Sequence, residues 1–466
     1  MSKVHLPVVE VRSSLRADGD RNFVYPADVS GRFNSARRVA FWVLIAIWLA
    51  LPWIKINGNP SIFLDIEHRK FFLFGATFNA QDIWLMFFLL TGVAFTLVYL
   101  TALLGRVFCG YACPQTVFLE AIYRPIERLV EGPREQRMKR DAADMTFDKA
   151  WRKVVKHGLY LLSSIFVAHI FLSYFVSLPK MFEMVRGKPS AHPEAFAWAM
   201  GVTAFFYGNF AWFREQVCLI VCPYGRLQSV LIDDDSVVIG YDEKRGEPRA
   251  KGKKKEGAGD CVDCNRCVVV CPTGIDIRNG LQLDCIGCSA CVDACDEVMD
   301  KLERPRGLVR YDSLNGLRGG ARKILRPRIY IYTVLLLAGM SAFTWAIGRH
   351  KDFEANILRL QGLPYVVEAG KVRNSFELHM VNKRGGTETY EITADPVPGL
   401  KFTIATPTVT LDSLAQTRVP VFIVNDLSDK RGDFMVHLRV QRRGAPEPVL
   451  IKAKFVGPQT APTQSP

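Results

Sequence analysis

The sequence predicts a polytopic α-helical membrane protein with five transmembrane helices, a cytoplasmic cysteine-rich insert and a C-terminal all-β sandwich. Three observations predict it: five apolar stretches of spanning length, twelve cysteines that all precede the last stretch, and short alternating runs that follow it. A chain of 466 residues has room for about three domains. With 49% hydrophobic and 23% charged residues it is excluded from the disordered, collagenous and low-complexity classes. The net charge of +14 raises nucleic acid or a membrane surface as partner. Apolar and basic residues are sharply segregated, so the lipid bilayer is the expected partner and nucleic acid is not.

The apolar stretches are Val39 to Ile54, Ile83 to Leu104, Gly158 to Leu178, Ala195 to Phe213 and Ile329 to Gly348. Each approaches the length that crosses a hydrocarbon core, and several are edged with Trp, Tyr and Arg, which favours spans over soluble core helices. Orientation follows from Lys and Arg. Residues 1–38 hold seven (Lys3, Arg12, Arg16, Arg21, Arg32, Arg37, Arg38) and 105–157 hold eleven, against three each in 55–82 and 179–194. The N-terminus is therefore expected in the cytoplasm and everything past about Arg349 outside; the sixteen basic residues beyond that point do not count, because long domains cross regardless of charge. No cleavage site follows the first span in a signal-peptide layout, so that span is expected to be retained.

The division that results is a cytoplasmic N-terminal segment 1–38, four spans in 39–213 with a cytoplasmic loop 105–157, a cytoplasmic segment 214–328, a fifth span 329–348, a β domain 349–456 and a disordered tail 457–466. In the β domain, Ser375 to Val381, Lys401 to Ala405, Arg418 to Val424 and Met435 to Val440 alternate in the manner of strands. Turn clusters at Lys383 to Gly386 and Pro396 to Gly399 separate them, giving a sandwich of about a hundred residues. It holds no cysteine and nothing with the composition of a catalytic site. The run Lys251, Lys253, Lys254, Lys255 reads as a solvated linker, and Asp233-Asp234-Asp235 as a solvated helix boundary. His157 and His169 lie on the third span, twelve positions apart, too far to share one metal; no role is assigned to either.

Eight cysteines form two copies of one pattern: Cys261-x2-Cys264-x2-Cys267-x3-Cys271-Pro272 and Cys285-x2-Cys288-x2-Cys291-x3-Cys295, within about residues 257–300. In a reducing compartment these are ligands and not disulfides. The pattern is that of two-cluster ferredoxins, in which the fourth cysteine of each run crosses over. One four-iron four-sulfur cluster is expected on Cys261, Cys264, Cys267 and Cys295, and a second on Cys285, Cys288, Cys291 and Cys271. Zinc sites are built from paired C-x2-C knuckles, not from runs of four. Asp296 stands where the pattern has proline after the last cysteine.

The other four cysteines repeat as well. Cys109-x3-Cys113-Pro114 follows the second span and Cys218-x3-Cys222-Pro223 follows the fourth, both at the cytoplasmic interface. On a helix, positions i and i+4 share a face, while the following proline disfavours helical geometry at Cys113 and Cys222. Four thiolates from neighbouring helices make a soft-metal site that selects copper(I). A redox dithiol and buried interface residues are the competing readings.

The whole pattern resembles the FixG/CcoG family, over roughly Phe23 to Gly457. The resemblance is carried by Tyr25-Pro-Ala-Asp-Val-Ser-Gly-Arg-Phe33, Phe108-Cys-Gly-Tyr-Ala-Cys-Pro-Gln-Thr116, Arg214-Glu-Gln-Val-Cys218, Tyr241 to Arg249 and Cys271-Pro-Thr-Gly-Ile-Asp-Ile-Arg278. It implies a bacterial inner-membrane protein with clusters inside and an immunoglobulin-like sandwich in the periplasm. The implied activity is cupric reductase: copper(II), as substrate or bound ion near Cys109, Cys113, Cys218 and Cys222, is reduced to copper(I) for assembly of the cbb3-type cytochrome c oxidase. Oxidase-assembly and copper-delivery proteins are the implied partners, and a homodimer is left open. Two other readings remain: a quinol-linked electron relay resembling the membrane ferredoxins of periplasmic nitrate reduction, which lack the large outer β domain, and a non-catalytic redox-sensing assembly factor. No nucleotide or flavin fingerprint identifies the cytoplasmic electron donor.

Overall fold

The computed structural model describes residues 23–458 except 57, 68, 80–81, 251–255, 349–352, 385, 413–414 and 428–431. The basic residues Lys3, Arg12, Arg16 and Arg21, the linker lysines 251–255 and the tail from 459 onward lie outside the described residues. The chain divides into two compact units, one made of 1–54, 60–68 and 83–344 and the other of 55–59, 69–82 and 345–466.

Among the described residues four helices have the length and apolar composition to cross a membrane: Arg32–Ala50, Ile83–Leu104, Phe147–Leu172 and Pro327–Gly348. Their boundaries differ from the sequence expectation for local reasons. The first begins seven residues earlier and stops at Ala50, because Pro52 offers no amide hydrogen to continue the ladder. The third starts at Phe147, where the Thr146 hydroxyl accepts from Lys149 N at 3.3 Å. Its polar first turns are tied down by ion pairs, Lys153 to Asp141 at 2.8 Å and Lys156 to Glu131 at 2.6 Å.

The fourth apolar stretch is helical over 193–213, but it changes from an α-helix (Pro193–Tyr207) to a π-helix (Gly208–Phe213). The change coincides with a polar contact: Asn209 and Gln115 exchange side-chain hydrogen bonds at 2.8 and 3.2 Å, and Gln115 Nε2 also donates to the Arg214 carbonyl at 2.9 Å. π-bulges of this kind concentrate at functional positions.

The soluble part of the first unit is stitched together by the segment that precedes the first helix. Ala27 N donates to Val269 O at 2.9 Å, Asn34 N to Asp293 at 2.7 Å, and Arg134 and Arg137 donate to the carbonyls of Tyr25 and Pro26. Val238–Tyr241 and Val309–Asp312 pair as an antiparallel ribbon that closes the cysteine-rich insert at both ends. Asp233 accepts from Arg326 at 3.0 Å and Asp235 from Asn315 at 2.9 Å, so the acidic run anchors the basic approach to the last helix.

The second unit is a two-sheet sandwich. One sheet runs Leu400–Ile404, Gln416–Asp426, Lys371–Asn382 and Phe353–Arg359, with Val366–Glu368 on the end of the long strand; the other runs Thr408–Leu411, Glu388–Ala394, Phe434–Arg442 and Val449–Phe455. Alternate residues point inward, and Leu378, Met380, Val421, Ile423, Tyr390, Val436, Leu438 and Phe455 form the dry centre. With no disulfide available, buried asparagines clasp the edges: Asn382 Nδ2 donates to the carbonyls of Gly386, Leu411 and Asp412, and its Oδ1 accepts from Tyr390. The hairpin Lys70–Leu73 with Ala76–Asn79 belongs to this unit, and Asp82 beside it accepts from Lys383 at 3.0 Å.

Candidate metal and electron-transfer centre

The two long cysteine runs fold into matching loops. The residues on either side of the second cysteine take left-handed backbone in both copies, Asp263 (φ +49°) and Asn265 (φ +55°) in one, Gly287 (φ +66°) and Ser289 (φ +61°) in the other. Asn265 and Ser289 then start helices, Arg266–Val269 and Ala290–Lys301, which carry the third cysteines. Cys291 and Cys295 lie one turn apart on the second helix but face different cavities.

The cysteines surround two spaces. One is walled by Cys261, Cys264, Cys267 and Cys295, and the other by Cys271, Cys285, Cys288 and Cys291, with Cys267 bordering both. Burial pushes the thiols of Cys267, Cys285 and Cys295 up to about 12, so they ionise only when a cationic group is there to receive them. Four soft donors around each space, in the spacing of two-cluster ferredoxins, suit a four-iron four-sulfur cluster. Among the described residues no three His, Cys, Asp or Glu side chains converge tightly enough for a single metal ion. Asp296, in the place of the usual proline, accepts from Gly307 N at 2.9 Å and closes the loop after the helix.

The two C-x3-C-P motifs are brought together. Neither pair sits on one continuous helix: Cys109 lies in the short helix Val107–Tyr111 and Cys218 in the π turn Val217–Val221, whereas Cys113 and Cys222 have extended backbone (ψ 126° and 111°) and cap the helices begun by their prolines. The proline effect thus overrides the shared-face geometry of i and i+4. Cys222 Sγ accepts from Gly225 N at 3.4 Å. Gln228, fully buried on the helix after Cys222, donates to Cys109 Sγ at 3.3 Å, and Tyr224 meets Thr101 at 2.6 Å. Burial, then the neighbouring Cys113, Cys109 and Cys222, push Cys218 up to about 12. Burial likewise pushes Cys109 up to about 11, partly offset by the Gln228 hydrogen bond.

Beneath these motifs lies a buried charge network that the sequence did not single out. Glu127 accepts from Tyr160 at 2.7 Å and from Arg137 at 2.9 Å, and it is paired with Arg214, whose side chain is 1% exposed. Burial works to raise the Glu127 carboxyl, but Arg214 and Arg137 hold it down to about 2. Arg214, at φ +54°, is held in left-handed backbone by this network and by the hydrogen bond from its own amide to Asn209. The two histidines have local partners, His157 Nδ1 with the Tyr207 hydroxyl at 2.9 Å and His169 Nδ1 with the Ile165 carbonyl at 2.8 Å.

Sequence comparisons agree with this geometry. A 4Fe-4S dicluster domain model matches residues 213–314, a 4Fe-4S binding domain model matches 85–133, and the Ig-like fold at the C-terminus of FixG matches 343–458. Apolar helices, cysteine-walled cavities and these matches define a membrane-bound iron–sulfur electron-transfer protein. Protein RdxB of Cereibacter sphaeroides is 36% identical over 394 residues, covering 80% of this chain and 82% of its own. Nitrogen fixation protein FixG of Rhizobium meliloti is 32% identical, covering 83% and 81%, and RdxA of Cereibacter sphaeroides is 32% identical, covering 82% and 84%. The chain belongs to the FixG/CcoG family. A crystal structure of a FixG-related protein from Vibrio parahaemolyticus aligns with 23% of this chain and 97% of its own, at 13% identity and a TM-score of 0.21.

Proposed function

We propose that this protein reduces copper(II) to copper(I) at the Cys109, Cys113, Cys218 and Cys222 thiols, for assembly of a cbb3-type cytochrome c oxidase. The observation that carries the reading is the meeting of the two half-buried C-x3-C-P motifs, where Gln228 on the helix after Cys222 donates to Cys109 Sγ at 3.3 Å, beside the loop of Cys285 to Cys291. Cys261, Cys264, Cys267 and Cys295 would hold one four-iron four-sulfur cluster and Cys271, Cys285, Cys288 and Cys291 a second, which would supply electrons one at a time. A cupric ion that takes up one electron becomes cuprous, the ion that soft sulfur ligands favour. The thiols bind the product ion, losing protons as they do so. The copper substrate and the oxidase are carried over from the family resemblance.

Two sets of contacts support a five-span topology. The segment before the first helix bonds to the cysteine-rich insert through Ala27 to Val269 and Asn34 to Asp293, so both belong on one side. The connection between the first two helices bonds to the β domain through Asp82 and Lys383, so those two belong on the other. Four crossings would put the insert opposite the segment it bonds to; a fifth crossing, by the helical stretch 193–213, removes the conflict. The positive-inside rule then assigns the insert to the cytoplasm and the sandwich to the periplasm.

The test is a copper(II) reduction assay on anaerobically purified protein with a chemical electron donor, following cuprous ion with a chelating dye. Turnover above that of the donor alone is expected; cluster reduction without cuprous ion would overturn the proposal.

A further inference from the structure

Two backbones meet where the segment after the second helix passes the second cysteine loop. A Cβ on Gly110 would fall 2.6 Å from the carbonyl oxygen of Gly287 and 3.0 Å from Cys288 Cα. Gly287, at φ +66°, would in turn carry its Cβ 2.9 Å from the Arg106 carbonyl oxygen. These obstacles are main-chain atoms, so neither position accepts a side chain without moving one strand of chain off the other. Gly110 directly follows Cys109 and Gly287 directly precedes Cys288, so the contact joins the two kinds of cysteine motif.

Polar groups fasten the junction on every side. Arg106, 8% exposed, donates to the Leu283 carbonyl and to the Cys285 carbonyl, the latter at 2.8 Å. Arg37 Nε donates to Gly110 O at 3.0 Å. The Tyr111 hydroxyl lies 3.2 Å from Ser289 Oγ, which donates to Tyr311 at 2.5 Å, and Tyr311 donates to Gly287 O at 2.8 Å. Arg124 donates to the carbonyl of Pro272, next to Cys271, at 3.0 Å. Both stretches that bring cysteines to the second cavity are therefore held by arginines of the segment 106–124. In the other C-x3-C-P copy, Leu219 stands where Gly110 stands in the first.

We propose that Arg106, Gly110 and Tyr111 are positioning residues that seat the 285–291 loop against Cys109, making the cavity of Cys271, Cys285, Cys288 and Cys291 the one that faces the four membrane-side thiols. The cavity of Cys261, Cys264, Cys267 and Cys295 is then the outer one, and Cys264 is exposed. This deepens the proposed function and rests on it for its use, but it is tested without copper. A buried guanidinium beside the second cavity favours the more negative, reduced state of whatever the cysteines hold, so its loss lowers that midpoint potential.

The experiment is a redox titration followed by electron paramagnetic resonance on the loaded full-length protein, with signals assigned through Cys264→Ser and Cys288→Ser. Arg106→Gln is expected to shift the midpoint of the Cys288-dependent signal downward and leave the Cys264-dependent one in place. Arg106→Lys, which keeps the charge, is expected to shift it less. Gly110→Ala should alter the line shape of the same signal, while Leu219→Ala alters neither. If Gly110→Ala does not fold, the two Arg106 variants carry the test. Equal shifts in both signals, a shift confined to the Cys264-dependent signal, or no shift in Arg106→Gln would overturn the proposal. The expected shifts in the Arg106 variants, together with a parent that reduces no copper, would remove the proposed function and leave the positioning intact; copper turnover by the parent without the shift pattern would do the reverse.

Discussion

Glu127 and Arg214 form an ion pair whose side chains are only 3% and 1% exposed, with Arg214 NH2 3.3 Å from Glu127 Oε2. The pair links the loop after the second span to the chain just ahead of Cys218, so it holds the two halves of the thiol site in register. Removing one member leaves the other charged and buried, which costs about 3–5 kcal/mol. Glu127→Gln is expected to lower the unfolding temperature clearly, whereas Glu297→Gln, in an exposed pair with Lys301, should change stability by less than about 1 kcal/mol. Thermal unfolding of the two variants in the same detergent checks this; equal effects would show that the buried pair adds nothing.

The same carboxyl gives a pH prediction with a definite sign. Its folded value of about 2 lies below the ordinary glutamate value of 4.5, so the native state binds the proton less readily than the unfolded chain. The stability it adds is fully present above about 4.5 and is lost as pH falls through about 2. Acid unfolding of the parent should therefore show a contribution in that window that Glu127→Gln lacks; a contribution lost instead between pH 8 and 6 would contradict the assignment.

Cluster loading is measured by iron content. Two four-iron clusters give about eight irons per chain, and Cys295→Ser should damage the cluster of Cys261, Cys264 and Cys267 more than that of its neighbours Cys288 and Cys291. The common border at Cys267 makes some cross-effect expected, but smaller. Stoichiometric zinc with little iron would contradict it.

Topology is open to reporter fusions after Gly257 and after Gly370, which should report opposite compartments. The same compartment for both would remove the crossing by Pro327–Gly348 and with it the five-span arrangement.

Much of this architecture is legible in the sequence, and the limits have physical causes. The cysteine runs are local, so spacing alone implies which thiols group and where proline ends a helix at Cys113 and Cys222. Strand alternation located the sandwich core for the same reason. The arginine network was not legible, because Arg106 and Cys285 are separated by 179 positions and nothing in the spacing of either reports the other. The repeat itself differs at Gly110 and Leu219, and at Gly110 the glycine marks a close backbone approach. The change to π-helix at Gly208 coincides with the Asn209 to Gln115 contact, which hydrophobicity cannot register.

The central claim is that the four membrane-side thiols take part in copper reduction, and the most direct measurement is the rate of copper(II) reduction by a variant with Cys109, Cys113, Cys218 and Cys222 all changed to Ser. The variant is expected to fold and keep its cluster absorption while binding copper weakly and reducing it slowly. A folded quadruple variant with both clusters that reduces copper at the parent rate would contradict the claim.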